Sequence, residues 1–241
     1  MARMKGDGKL FLRAPKPAST GGMETSPASP PAFSRSLFVF AVLYGGMVCI
    51  AGVLGAKQVA LGPLAVEAGI FPFLLLVVLS STIAELHGRE TANRLVRFGF
   101  IPLVTSILLI WLVIQLPTDP GMYEPAKEAF PIILGQSWRL MAAGIVAYGV
   151  SQFLNVYIFS RLSRGGEGKG GWLAARAAVA SAISQIVDTL IFITISFYGV
   201  RPIGDLILGQ AAAKVALSLV LVPLLITALV ALGRRLDSRP L

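Results

Sequence analysis

The chain has 241 residues, 55% of them hydrophobic and 14% charged, with a mean hydropathy of +0.77. That balance excludes a water-soluble domain of this length, because the apolar residues come in long blocks rather than periodic stripes. The formal charge of +9 does not signal nucleic acid, since Lys and Arg lie between the apolar blocks without interleaved aromatics; anionic lipid head groups are the expected partners.

Residues 1–35 are rich in Pro, Ser and Gly with scattered basic residues, and they read as a disordered cytoplasmic tail starting at Met1 or Met23. Six apolar blocks follow, near 37–56, 70–86, 96–116, 138–161, 174–199 and 205–232. Each is long enough to cross about 30 Å of hydrocarbon as a helix. The connections alternate in charge. Arg89, Arg94 and Arg97 follow the second block, Arg161, Arg164 and Lys169 the fourth with Arg176 just beyond, and Arg234, Arg235 and Arg239 close the chain. The other connections set Lys57 beside Glu67, Lys127 among acids, and Arg201 beside Asp205. By the positive-inside rule both termini are cytoplasmic, and an even number of spans, which puts both ends on one side, agrees with that. The expected fold is therefore all-α: a polytopic membrane protein with six transmembrane helices in residues 36–233, and a short basic cytoplasmic tail at 234–241. Continuous apolar runs argue against a β-barrel.

Polar groups at membrane depth mark candidate sites, because they are costly there. Ser181, Ser184, Gln185 and Asp188 share one helical face in the fifth block, Gln210, Lys214 and Ser218 form a stripe in the sixth, and Tyr148, Ser151, Gln152 and Asn155 form another in the fourth. Counted from the outer ends of two antiparallel neighbours, Asp188 and Lys214 fall within roughly 3 Å of each other in depth, so the two are expected to pair. Hydrogen bonding between helices accounts for the serines, but a packing contact does not require the full charges of Asp188 and Lys214. Glu85 closes the second block at the cytoplasmic interface. His87, the only histidine, reads as a solvated loop residue. The single Cys49 gives neither a disulfide framework nor a thiolate metal site. No zinc-protease, phosphate-loop or nucleophile-elbow motif is present, so neither a catalytic residue, a metal nor a cofactor is expected.

Residues 57–100, KQVALGPLAVEAGIFPFLLLVVLSSTIAELHGRETANRLVRFGF, and residues 172–199, WLAARAAVASAISQIVDTLIFITISFYG, resemble two segments of the queuosine precursor transporter family of the vitamin uptake transporter group. The first matches the family's Lys and Gly-Pro before a short helix ending in a Glu-x-x-Gly turn. The second matches its Ser-Gln-x-x-Asp-Thr helix with a closing Phe-Tyr-Gly. Gln210, Lys214 and Pro223 are a weaker third match. The chain departs from the pattern at Ser81, where the family often has Asp, and at His87, where it often has Tyr. The resemblance implies a multi-pass importer in a bacterial inner membrane, bringing in 7-cyano-7-deazaguanine or related 7-deazaguanines for queuosine synthesis and tRNA modification. Together with the polar stripe of the fourth block it brings forward Glu85, Asn155, Gln185, Asp188, Gln210 and Lys214 as substrate-binding residues, with Asp188 or Glu85 taking the donor edge of the base and Gln185, Asn155 or Gln210 reading its carbonyl. The alternatives are a transporter or substrate-binding membrane subunit for another nucleobase or vitamin, and an intramembrane enzyme. A homo-oligomer is compatible with each.

Overall fold

A computed structural model describes residues 34–61, 64–135, 138–163, 170–200 and 202–238. Residues 1–33 of the tail expected at 1–35, the Gly62-Pro63 pair, Arg164, Lys169, Arg201 and Arg239 lie outside the described residues. Six helices and one small hairpin follow in order: α1 (Arg35–Gly55), β1 (Gln58–Leu61), β2 (Leu64–Glu67), α2 (Ile70–Gln115), α3 (Glu124–Leu134), α4 (Trp138–Ser163), α5 (Gly170–Phe197) and α6 (Gly204–Asp237). All except α3 are long and apolar enough to cross a membrane.

Three local features depart from the expectation of six plain helices joined by loops. The connection after α1 is an antiparallel hairpin pairing Gln58 with Glu67 and Val59 with Val66, its alternating side chains suiting a pleated ribbon better than a coil. The connection before α4 holds the amphipathic α3, opened by Glu124 and Pro125, residue types that favour a helix start. The basic segment after the second apolar block is not a loop. Helix α2 runs through it, broken only at Gly88 with φ 84° and ψ 161°, a conformation essentially confined to glycine. Residues 89–97 are helical, turning Arg89, Arg94 and Arg97 outward while Ala92, Leu95 and Val96 are buried.

The first half of α2 is the central element, with every residue from 76 to 83 buried. On one side Leu76, Leu79 and Ile83 pack with Phe40, Tyr44 and Val48 of α1 and with Tyr148 and Val156 of α4. On the other, Ile70, Leu74 and Val78 pack with Phe159 of α4, Ala177 and Ala180 of α5, and Val222 and Ile226 of α6. The outer faces are apolar as well: Phe98, Ile101, Leu108 and Leu112 in the second half of α2 are all more than half exposed. Such faces match lipid rather than water. Gly99 lacks the Cβ that would collide with the Tyr148 hydroxyl, and that hydroxyl donates to the Val96 carbonyl at 3.1 Å. This close approach fixes the spacing of α2 and α4.

The hairpin, α3 and the α5–α6 connection lie at one end of the bundle. The opposite end carries the start of α1, the Gly88 kink and the close of α6. There Ser36 Oγ donates to Asp237 Oδ2 at 2.7 Å and lies 2.7 Å from His87 Nε2. His87 is thus a helical residue holding three segments together, not the solvated loop residue expected. A ring nitrogen with two nearby side-chain oxygen partners is better ordered there than in water.

Candidate functional site

The buried charges come from helical spacing. Asp188 occupies the face of α5 that turns inward, and Lys214 the matching face of α6. Their side chains meet, Lys214 Nζ donating to Asp188 Oδ2 at 2.8 Å, and Ser151 of α4 donates to Asp188 Oδ1 at 3.2 Å. The pair expected from depth is formed. Both residues are at most 9% exposed, so each removes much of the desolvation penalty that the other would suffer alone. The Lys214 ammonium also lies 5.6 Å from the Phe73 ring centroid, within reach of a cation–π attraction.

Asp188 and Lys214 form part of the wall of a cavity of about 420 Å³. That is within the range of small-molecule sites, about 300–1,000 Å³. Its aromatic walls are Phe73, Tyr148 and Phe192, and Glu67 of the hairpin adds a carboxylate. Towards the hairpin end it is bordered by Ile132, Ile133 and Leu134 of α3 and by the last turns of α1, including Cys49. The cavity is therefore lined by α1 to α6, with its charged floor near mid-bundle.

The other sequence candidates lie elsewhere. Asn155 is one turn beyond Ser151 and is fully buried, its amide donating to Ser80 Oγ at 3.1 Å, Ser81 Oγ at 3.0 Å and the Val77 carbonyl at 3.2 Å. Gln185 is one turn beyond Asp188 and also fully buried, and neither atom of its amide has a partner among the described residues. Gln210 is buried on α6, one turn from Lys214 on the hairpin side. Glu85 is further still, near the kink, in an ion pair with Arg176. None of these four lines the cavity. Arg176, which the sequence sets just beyond the basic connection, is only 4% exposed inside α5.

Some residues that line the cavity or support its walls had no clear signal in the sequence. Tyr44 is fully buried and bonds the Tyr148 hydroxyl at 3.0 Å, yet it lies in a uniformly apolar block where nothing marks it as polar. Glu67 sits in a connection, where a carboxylate is unremarkable until the hairpin turns it toward the cavity. Phe73 could have been found, since an aromatic just inside a helix start is a natural wall beside a polar stripe. Among the described residues no cluster of three His, Cys, Asp or Glu could hold a metal ion.

Comparison with known proteins points to one family of transporters. Residues 67–228 match the model of a family described as "Putative vitamin uptake transporter". The chain is 28% identical over 143 residues to a Bacillus subtilis (strain 168) protein named "Probable queuosine precursor transporter", covering 58% of this chain and 61% of that protein's length. No solved structure matches.

Proposed function

The chain belongs to the vitamin uptake transporter family, and from that premise we propose that it imports a 7-deazaguanine such as 7-cyano-7-deazaguanine, a precursor of queuosine, across a bacterial inner membrane. The observation that carries the reading is the ion pair at the floor of the cavity. A guanine-like edge presents a ring N–H and an amino group beside a carbonyl oxygen. A carboxylate takes the two donors in paired hydrogen bonds, and an adjacent ammonium donates to the carbonyl. Asp188 and Lys214, 2.8 Å apart, offer that combination, and Phe73, Tyr148 and Phe192 supply ring faces for a flat heterocycle. In this reading the cargo first meets Asp188 and Lys214, with Gln210 one turn from Lys214 on the hairpin side, while Gln185 and Asn155 come into play deeper in the bundle.

The two halves of α2 are read as separate crossings that turn at Gly88, which makes six spans. The positive-inside rule then sets the kink end and both termini in the cytoplasm and opens the cavity outward. Transport follows alternating access about a mid-membrane site, without catalysis or a cofactor. The relative's printed name supports the choice of cargo.

Purified protein in liposomes, given labelled 7-cyano-7-deazaguanine, should accumulate it without a partner, and Asp188→Ala should abolish uptake. Uptake of other nucleobases or vitamins but not of this compound would overturn the choice of cargo. Tight binding without uptake would instead indicate a subunit that borrows an energising partner.

A further inference from the structure

Between the cavity floor and the kink end the bundle is closed, yet its interior there is not apolar. The contact of Ser151 with Asp188 sets the register of α4 against α5. One turn further toward the kink, about 6 Å along, come Asn155 on α4 and Ser184 and Gln185 on α5, followed by Ser181, which bonds Ser218 of α6 at 3.0 Å. Ser80 and Ser81 of α2 complete this layer through Asn155. Every one of these residues is fully buried, and Asn155 Oδ1 and both amide atoms of Gln185 lack partners among the described residues. Leaving such groups unpaired in a closed interior is costly, and native proteins keep few of them. Amide groups in this state are suited to a second conformation in which something polar lies beside them.

The far end of the layer holds an ion pair. Arg176 of α5 pairs with Glu85 of α2, and its guanidinium lies over the Phe159 ring, 4.5 Å from the centroid. Glu85 precedes the Gly88 break by three residues, so the pair is next to the point where α2 can pivot. We propose that the cargo leaves the cavity through this polar layer and that the Arg176–Glu85 pair is the gate across its cytoplasmic end. The gate rests on the transport reading above. It gives Glu85 a role at the exit and makes Gln185 and Asn155 the groups that hold the cargo once the outer cavity has closed.

The test uses the full chain with Cys49→Ser and a single new thiol from Ser184→Cys, in inside-out vesicles exposed to a charged, membrane-impermeant thiol reagent. With the ion pair intact, labelling is slow. Glu85→Gln should accelerate it about tenfold, the scale of one lost charge-assisted hydrogen bond, and the exchange Glu85→Arg with Arg176→Glu should return it toward the slow rate. A control thiol from Val156→Cys, in the apolar cluster, should stay slow throughout. An unchanged rate at Ser184→Cys, or equal acceleration at both thiols, would overturn the gate. If Glu85→Gln does not yield folded protein, Glu85→Asp, which keeps the charge but withdraws it by one methylene, must show the same acceleration. Labelling needs no cargo, so a failed uptake assay bears on the substrate alone and leaves this outcome readable.

Discussion

Asp188 illustrates how much can depend on a single carboxylate at membrane depth. Removing one member of a buried ion pair strands the other, at a cost of roughly 3–5 kcal/mol. Asp188→Asn should therefore lower the thermal midpoint of the detergent-solubilised protein as well as impair uptake, and Lys214→Met should be milder because it strands a carboxylate that keeps its bond from Ser151. The reversed pair, Asp188→Lys with Lys214→Asp, should recover stability while uptake stays low, because acceptor and donor would then face the wrong edges of the base. Recovery of both would mean that the pair supports the fold and does not read the cargo. The spacing of polar residues made this pair legible in the sequence, since α5 and α6 are joined by a short connection and their depths can be compared by counting. The Arg176–Glu85 pair was not legible: its members are 91 positions apart, on helices with no shared connection, and Arg176 lies at the edge of its apolar block, where a basic residue ordinarily belongs to the interface.

At the scale of elements, α2 departs most from its sequence pattern. Hydropathy divides it into two blocks with a basic stretch between, but Glu90 to Arg97 contains neither Gly nor Pro to stop a helix, and Arg97 bonds Glu90 at 3.0 Å along the exposed face. The break contracts to Gly88. A Cβ there meets no atom within 4 Å, so the cost of Gly88→Ala is purely conformational, about 1–3 kcal/mol. The variant should unfold at a lower temperature, whereas Gly52→Ala, also with open space around its Cβ but at a helical φ, should be neutral or stabilising. Equal effects from the two would show that the kink carries no strain. The hairpin and α3 were hidden for a different reason: both are short, and Ile132, Ile133 and Leu134 of α3, which border the cavity, carry the same apolar signal as residues that face lipid.

For the molecule as a whole, a single thiol reports on access to the interior. Cys49 borders the cavity on the hairpin side and is the only cysteine in the chain. A membrane-impermeant maleimide should modify it from the outer face of intact cells, and cargo at saturating concentration should slow the reaction. Labelling only from the cytoplasmic face would reverse the orientation. The last consequence concerns the clamp of Ser36, His87 and Asp237. It brings position 34 and position 237 within a hydrogen bond of each other, Ser34 Oγ donating to Asp237 Oδ1 at 3.0 Å. The helical bundle is thus a nearly closed loop of chain. A circular permutant that links 237 to 34 through a few glycines and opens anew between 163 and 170 should still assemble, since it keeps every interhelical contact. Its elution as a single species with the parental melting profile would make the order of the helices along the chain a separable property from their arrangement in space.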